Sequence, residues 1–192
     1  MPHVRLLHWA TLFASVALLC VFAGAQSQTF TVGMRDACDP DTFNKAAGPG
    51  TCIPGDHGQT KFNLFVAELQ SDHIAGAWRF NPLLTTTPGT FRLTSVELNP
   101  GTQLSLKNFG GEVHTFTRVA RYNGGFIPFL NPLSLNPEPA PECLKPENAI
   151  NIFVEAGTTE AGPTAGTDQL PMGRTHWQCC IHPWMRMDIV VR

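Results

Sequence analysis

Near the carboxyl end the chain reads Trp177-Gln178-Cys179-Cys180-Ile181-His182-Pro183-Trp184-Met185-Arg186-Met187. Within it, Cys179-x-x-His182-x-x-Met185 brings a thiolate, an imidazole and a thioether together over a few residues. Such a mixture suits a soft, redox-active copper ion, which takes a Cys sulfur, imidazoles and a weak axial Met around a trigonal plane. The second imidazole must come from elsewhere. His114, in Gly110-Gly111-Glu112-Val113-His114-Thr115-Phe116-Thr117, opens an apparent strand after a glycine turn. Cys180 competes with Cys179, but Cys180-x-His182 has the wrong spacing, and strand alternation sends adjacent sulfurs to opposite faces. Met187 competes with Met185; because Met187, Ile189 and Val191 alternate with Asp188, Val190 and Arg192, it reads as the first core residue of the last strand. His176 reads as a surface or core residue, and His57 and His73 lie in polar or loop contexts without convergent partners. Structural zinc sites seldom enlist Met, c-type haem needs Cys-x-x-Cys-His, and no His-x-His pair is present to build a multicopper site.

These residues need a scaffold, and the chain supplies short β-rich runs separated by turn residues. The runs are Thr29–Met34, Lys61–Leu69, Ala77–Phe80, Thr90–Leu98, Gln103–Asn108, Val113–Ala120, Asn151–Glu155, Thr175–Cys180 and Met187–Arg192. Several alternate at period two, as in Val96, Leu98 and then Leu104, Leu106 beyond the Asn99-Pro100-Gly101 turn. No 12-residue stretch carries a 3.6-residue apolar stripe. The expectation is therefore all-β: an antiparallel Greek-key sandwich of about eight strands with long Pro/Gly-rich loops. Arg35–Thr60 is one such loop, and a Cys38–Cys52 disulfide across it would contribute about 3 kcal/mol. Gly124–Pro146 is the other; its six prolines forbid a central strand, and Phe126–Leu130 is apolar enough to pack over the sandwich or to offer a docking surface.

Composition narrows the function classes. With 13 Lys plus Arg against 15 Asp plus Glu the net charge is -2, and no clustered basic face appears, which excludes a nucleic-acid binder dependent on phosphate neutralisation. The run from Trp9 through Phe22, ending Ala23-Gly24-Ala25, reads as a secretory signal peptide over residues 1–25, since it is slightly short for a membrane anchor. The expected mature chain, 26–192, is then secreted or periplasmic with no membrane span. It keeps five cysteines: Cys38, Cys52, Cys143, Cys179 and Cys180. Five cannot all pair internally, so one sulfur needs another occupation in an oxidising compartment.

One His on an earlier strand, followed by Cys-x-x-His-x-x-Met before the last strand, resembles the type 1 blue copper proteins of the cupredoxin family. The short Cys-to-Met loop with Pro183 after the second His is most similar to amicyanin, and Asn99–Asn108 resembles the strand and turn before that family's first ligand. The resemblance covers roughly 91–120 and 150–192. It implies one sandwich domain, with N-terminal strands and a disulfide loop over 26–90 and a copper-binding core over 91–192. It implies His114, Cys179 and His182 as the trigonal copper ligands, Met185 as the axial one, and a non-enzymatic role carrying single electrons between redox partner proteins. The second His is expected near the surface, where an apolar patch of His182, Pro183 and Trp184 would meet the partner. The alternatives are a protein that sequesters or delivers copper without redox turnover, and an interaction domain with ligand-like residues only. On this reading Cys180 faces away from the metal and pairs with Cys143, or Cys143 stays free and buried. Residues 29–80 either complete the first sheet or cover the site.

Overall fold

The computed structural model describes residues 28–55, 58–81 and 94–192. The expected signal segment and His57 lie outside them. Nine strands among the described residues form two sheets. The first has the order β2 (Arg79–Phe80), β1 (Thr29–Arg35), β4 (Gln103–Asn108), β7 (Thr159–Thr164). The second has the order β3 (Thr94–Leu98), β9 (Arg186–Val191), β8 (Gly173–Gln178), β5 (His114–Val119), β6 (Asn151–Val154). Most pairs are antiparallel, but β1 runs parallel to β4 and β3 parallel to β9, because the chain crosses between sheets instead of turning back beside itself. The β-sandwich expected from the alternating runs is thus present.

Alternation builds the core. In β4 the residues Leu104, Leu106 and Asn108 point inward while their neighbours do not. Inner-face side chains from both sheets meet in one cluster around Phe116 and Trp177, whose rings stack at 4.4 Å. β5 and β9 are instead buried almost throughout. For β5 the reason is the proline-rich loop, which covers its outer face: Val119, Ala140, Cys143 and Cys180 form a second small cluster there, with Tyr122 and Phe126 against it. Of the apolar run Phe126–Leu130, Phe126 and Leu130 pack inward, while Ile127 and Phe129 remain exposed. The Cys143–Cys180 and Cys38–Cys52 disulfides are both formed, and Cys179 is the free cysteine among the described residues.

Three elements differ from the sequence reading. Lys61–Leu69 is not a strand but the start of helix α2 (Phe62–Asp72), which buries Phe65 and Leu69 and ends at His73 in the left-handed region, φ 61°. Exposed Leu64 beside them breaks the apolar stripe, so the run Leu64-Phe65-Val66 imitates a strand. A second helix, α1 (Pro40–Ala47), stands in the loop expected to be irregular; Asp39 caps it by accepting from the Thr42 amide, and Pro40 fits the first turn, where no amide partner is needed. β7 went unread because Gly162 and Pro163 argue against a strand; Pro163 is tolerated since β7 is a sheet edge. Of Ala77–Phe80 only Arg79–Phe80 pairs, and of Thr90–Leu98 the described part, Thr94–Leu98, is a strand. Residues 29–80 do both things considered for them: β1 and β2 complete the first sheet, and α1, α2 and Trp78 lie over the end of the sandwich that carries His182.

Candidate metal centre

His114 is the first residue of β5, and the turn before it is fixed by one buried amide. Asn108 donates from Nδ2 to the carbonyls of Glu112 (2.7 Å) and Val154 (3.0 Å), and its Oδ1 accepts from the Gly110 amide (2.8 Å). Cys179 follows β8 directly. The loop after it closes on itself, with the Met185 amide donating to the His182 carbonyl (2.9 Å) and the Cys179 amide to the Met185 carbonyl (3.0 Å). Pairing of β5 with β8 then brings the two segments together.

The structure joins three of the expected ligands. His114 Nδ1 lies 3.9 Å from Cys179 Sγ, His182 Nδ1 lies 3.8 Å from the same sulfur, and the two Nδ1 atoms are 3.2 Å apart. Metal bonds of about 2.0 Å to nitrogen and 2.3 Å to sulfur, the zinc values, place three trigonal donors roughly 3.5 to 3.7 Å apart. The observed triangle therefore fits a single ion, and a thiolate with two imidazoles is a donor set that copper favours. Met185 is buried in the same core as Cys179. Met187 sits within β9, paired in register with Trp177, as its alternation indicated. Cys180 faces away into its disulfide, but β8 ends at Gln178, so both cysteines lie in the loop beyond the strand and its course, not strand alternation, separates their sulfurs.

The sulfur is held from several sides. The Thr115 amide (3.4 Å) and the His182 amide (3.5 Å) both donate to Cys179 Sγ. In the metal-free protein, burial alone would raise the Cys179 thiol, but hydrogen bonds and charge from the two imidazoles hold it well below the ordinary thiol range. The histidines respond in the opposite sense. Burial pushes His182 down, yet the Glu112 carboxylate and the Cys179 sulfur outweigh it and lift its pKa to about 10. For His114, burial is likewise outweighed, by Asp36 and Cys179, and its pKa rises.

Sequence reasoning missed the residues behind the imidazoles. Asp36, just beyond β1, places Oδ2 3.0 Å from His114 Nε2. Glu112 places Oε2 3.6 Å from His182 Nε2, and the same oxygen accepts from Trp78 Nε1. Asp36 in turn accepts from the amides of Gly111 (2.9 Å), Glu112 (3.1 Å) and Cys38 (3.3 Å), and its pKa, raised by burial but lowered more by His114 and by the Gly111 and Glu112 amides, settles at about 2. Gly110 makes room for this, because a Cβ there would stand 1.8 Å from Asp36 Oδ2. Asp36, Cys38 and Glu112 also lie together, but Cys38 is in a disulfide and has no thiolate to offer. Glu112 was visible two residues before His114, though nothing local says that it turns toward His182. Asp36 gave no signal, being 78 positions from its partner.

His182 itself is not near the surface as expected. It is 2% exposed, with Trp78 at 6.5 Å and Trp184 at 5.5 Å between ring centroids, and Phe65 packs against both tryptophans at 4.6 and 5.8 Å. Pro183 is buried too, and Trp184 is only partly covered. His176 and His73 lie away from the centre: His176 Nδ1 meets Asp188 Oδ1 at 2.7 Å, and His73 Nδ1 meets the Leu133 carbonyl at 3.0 Å.

No family model matches the chain, and no curated protein matches it. Among solved structures it is similar to a methionine-to-alanine variant of amicyanin with Cu(I), at 13% identity and a TM-score of 0.33 over 55% of this chain and 76% of that one. It is also similar to a purple cupredoxin from Nitrosopumilus maritimus, at 16% identity and 0.34 over 57% and 87%. A third is amicyanin from Paracoccus versutus, at 13% identity and 0.30 over 53% and 72%.

Proposed function

We propose that this chain is a secreted mononuclear type 1 copper protein that carries single electrons between redox partners. The observation that carries the reading is the buried triangle of His114 Nδ1, Cys179 Sγ and His182 Nδ1, built around the cysteine left free by two disulfides. These three residues, with Met185 from the same loop, would hold the ion. When bound, copper supplies a one-electron Cu(I)/Cu(II) couple. The protein's part is to keep the donors where they are. Cys179 is restrained by two amides and a closed backbone loop, and each imidazole is braced on its far nitrogen. A donor set that cannot relax suits rapid electron exchange, because little need move with the charge. Burial of all three donors also supports retention of the metal over hand-off to another protein.

Two disulfides support an oxidising compartment. With the edge of His182 covered, the partly exposed Trp184 is the nearer contact for a partner protein on that side, and the -2 net charge favours recognition through apolar surface. Voltammetry of the copper-loaded protein tests the role. Electron transfer requires reversible one-electron cycling with the metal retained; release of copper on each reduction would favour delivery instead.

A further inference from the structure

Resting on the copper reading above, we propose that Asp36 and Glu112 are positioning residues of the copper centre: two buried carboxylates that fix both imidazoles with Nδ1 inward and set the potential low by favouring Cu(II). A histidine that ligates through one nitrogen has the other free to turn the ring or to bond water. Here both far nitrogens face a carboxylate inside the protein, His114 toward Asp36 at 3.0 Å and His182 toward Glu112 at 3.6 Å. Each carboxylate is itself pinned. Asp36 takes three backbone amides, and Glu112 takes the Trp78 indole while its own carbonyl is held by Asn108.

Such outer partners orient the ring and raise the basicity of the ligating nitrogen, and their loss commonly lowers metal affinity 10- to 100-fold. A buried negative charge also discriminates between oxidation states, since its attraction for a dication exceeds that for a monocation at the same distance. The extension before β3 therefore does more than cover the site. It contributes Asp36 directly, and Trp78 holds Glu112. The Ile53 amide, bonded to the Gly111 carbonyl at 2.8 Å, ties this extension to the turn that carries Glu112, and the Cys38–Cys52 disulfide links the neighbouring Cys52 back to the segment that follows Asp36.

The test compares wild type with Glu112→Gln, which keeps the size of the side chain and its ability to accept from Trp78 but removes the charge. Copper(II) and copper(I) affinities are measured by competition with chelators, and the potential by voltammetry. The expected result is a Cu(II) affinity 10- to 100-fold lower, with Cu(I) affinity falling at least tenfold less and the potential rising by about 59 mV for each tenfold difference. Glu97→Gln, which removes an exposed carboxylate paired with Arg192, leaves the potential where it was. Asp36→Asn, which likewise keeps the size of the side chain but removes the charge facing His114, shifts the potential the same way, and this variant decides the matter if Glu112→Gln does not fold. Wild type that takes up copper while the decisive variant shows an unchanged potential overturns the positioning role alone. Wild type that takes up no copper overturns the copper reading as well.

Discussion

The chemistry is concentrated in residues whose ordinary properties are inverted by their neighbours. A buried thiol would normally stay protonated and a buried imidazole neutral; Cys179, His114 and His182 each move the other way because they face one another and two carboxylates. The consequence for pH follows from the direction of each shift. The pKa of His182 in the folded, metal-free protein lies above its unfolded value of 6.5, so the stability it contributes is fully present below 6.5 and is lost as pH rises through about 10. A ligating nitrogen carries no proton, so copper binding expels one and strengthens over the same range. Thermal melts from pH 6.5 to 10 should therefore show the gap between copper-loaded and metal-free midpoints widening with pH. A constant gap would contradict the assignment of His182. Asp36 acts at the other end, its folded pKa near 2 against 3.8 unfolded: its contribution of about 2 kcal/mol holds above 3.8 and fades as pH falls through 2. At this scale the sequence was legible where spacing is local, as in Cys179, His182 and Met185, and where an isolated His opens a strand. Asp36 was illegible because only the folded chain brings it to His114.

Among the elements, strands with apolar runs were readable whether one face is covered, as in β4, or nearly both, as in β5 and β9, and the edge strand β7 was not. β4 alternates because one face meets the core, whereas Gly162 and Pro163 hide β7 in a sequence that looks like a turn. The helices were missed for related reasons: α1 buries a single side chain, Phe43, and α2 leaves Leu64 outside its buried stripe. Yet α2 is what shields the site, since Phe65 touches both Trp78 and Trp184, the rings flanking His182. Phe65→Ala should cost about 3 to 5 kcal/mol and open a path for solvent to His182. The check is a denaturant melt together with the rate at which a chelator strips copper, which should rise. A stripping rate equal to wild type would mean that the aromatic cover does not control access. The proline-rich loop has a separate task on the outer face, where Gly125 packs so closely on the Cys180 carbonyl that a Cβ would stand 1.9 Å from it, and the Cys143–Cys180 bond holds the loop down.

For the molecule as a whole, the odd cysteine organises the account. The Cys143–Cys180 disulfide clips the proline-rich loop to the segment after β8, the Cys38–Cys52 disulfide closes the other long loop on itself, and the remaining thiol among the described residues, Cys179, is buried between two imidazoles. A sulfur so placed is protected from oxidation by burial and, on the copper reading, by the metal. The most direct test is titration of the metal-free protein with Cu(II), followed by visible absorption and EPR, in wild type and Cys179→Ser. The account predicts one copper per chain, an intense thiolate-to-copper charge-transfer band with narrow hyperfine splitting, and loss of that band in Cys179→Ser. Copper binding and colour that survive unchanged in Cys179→Ser would contradict it.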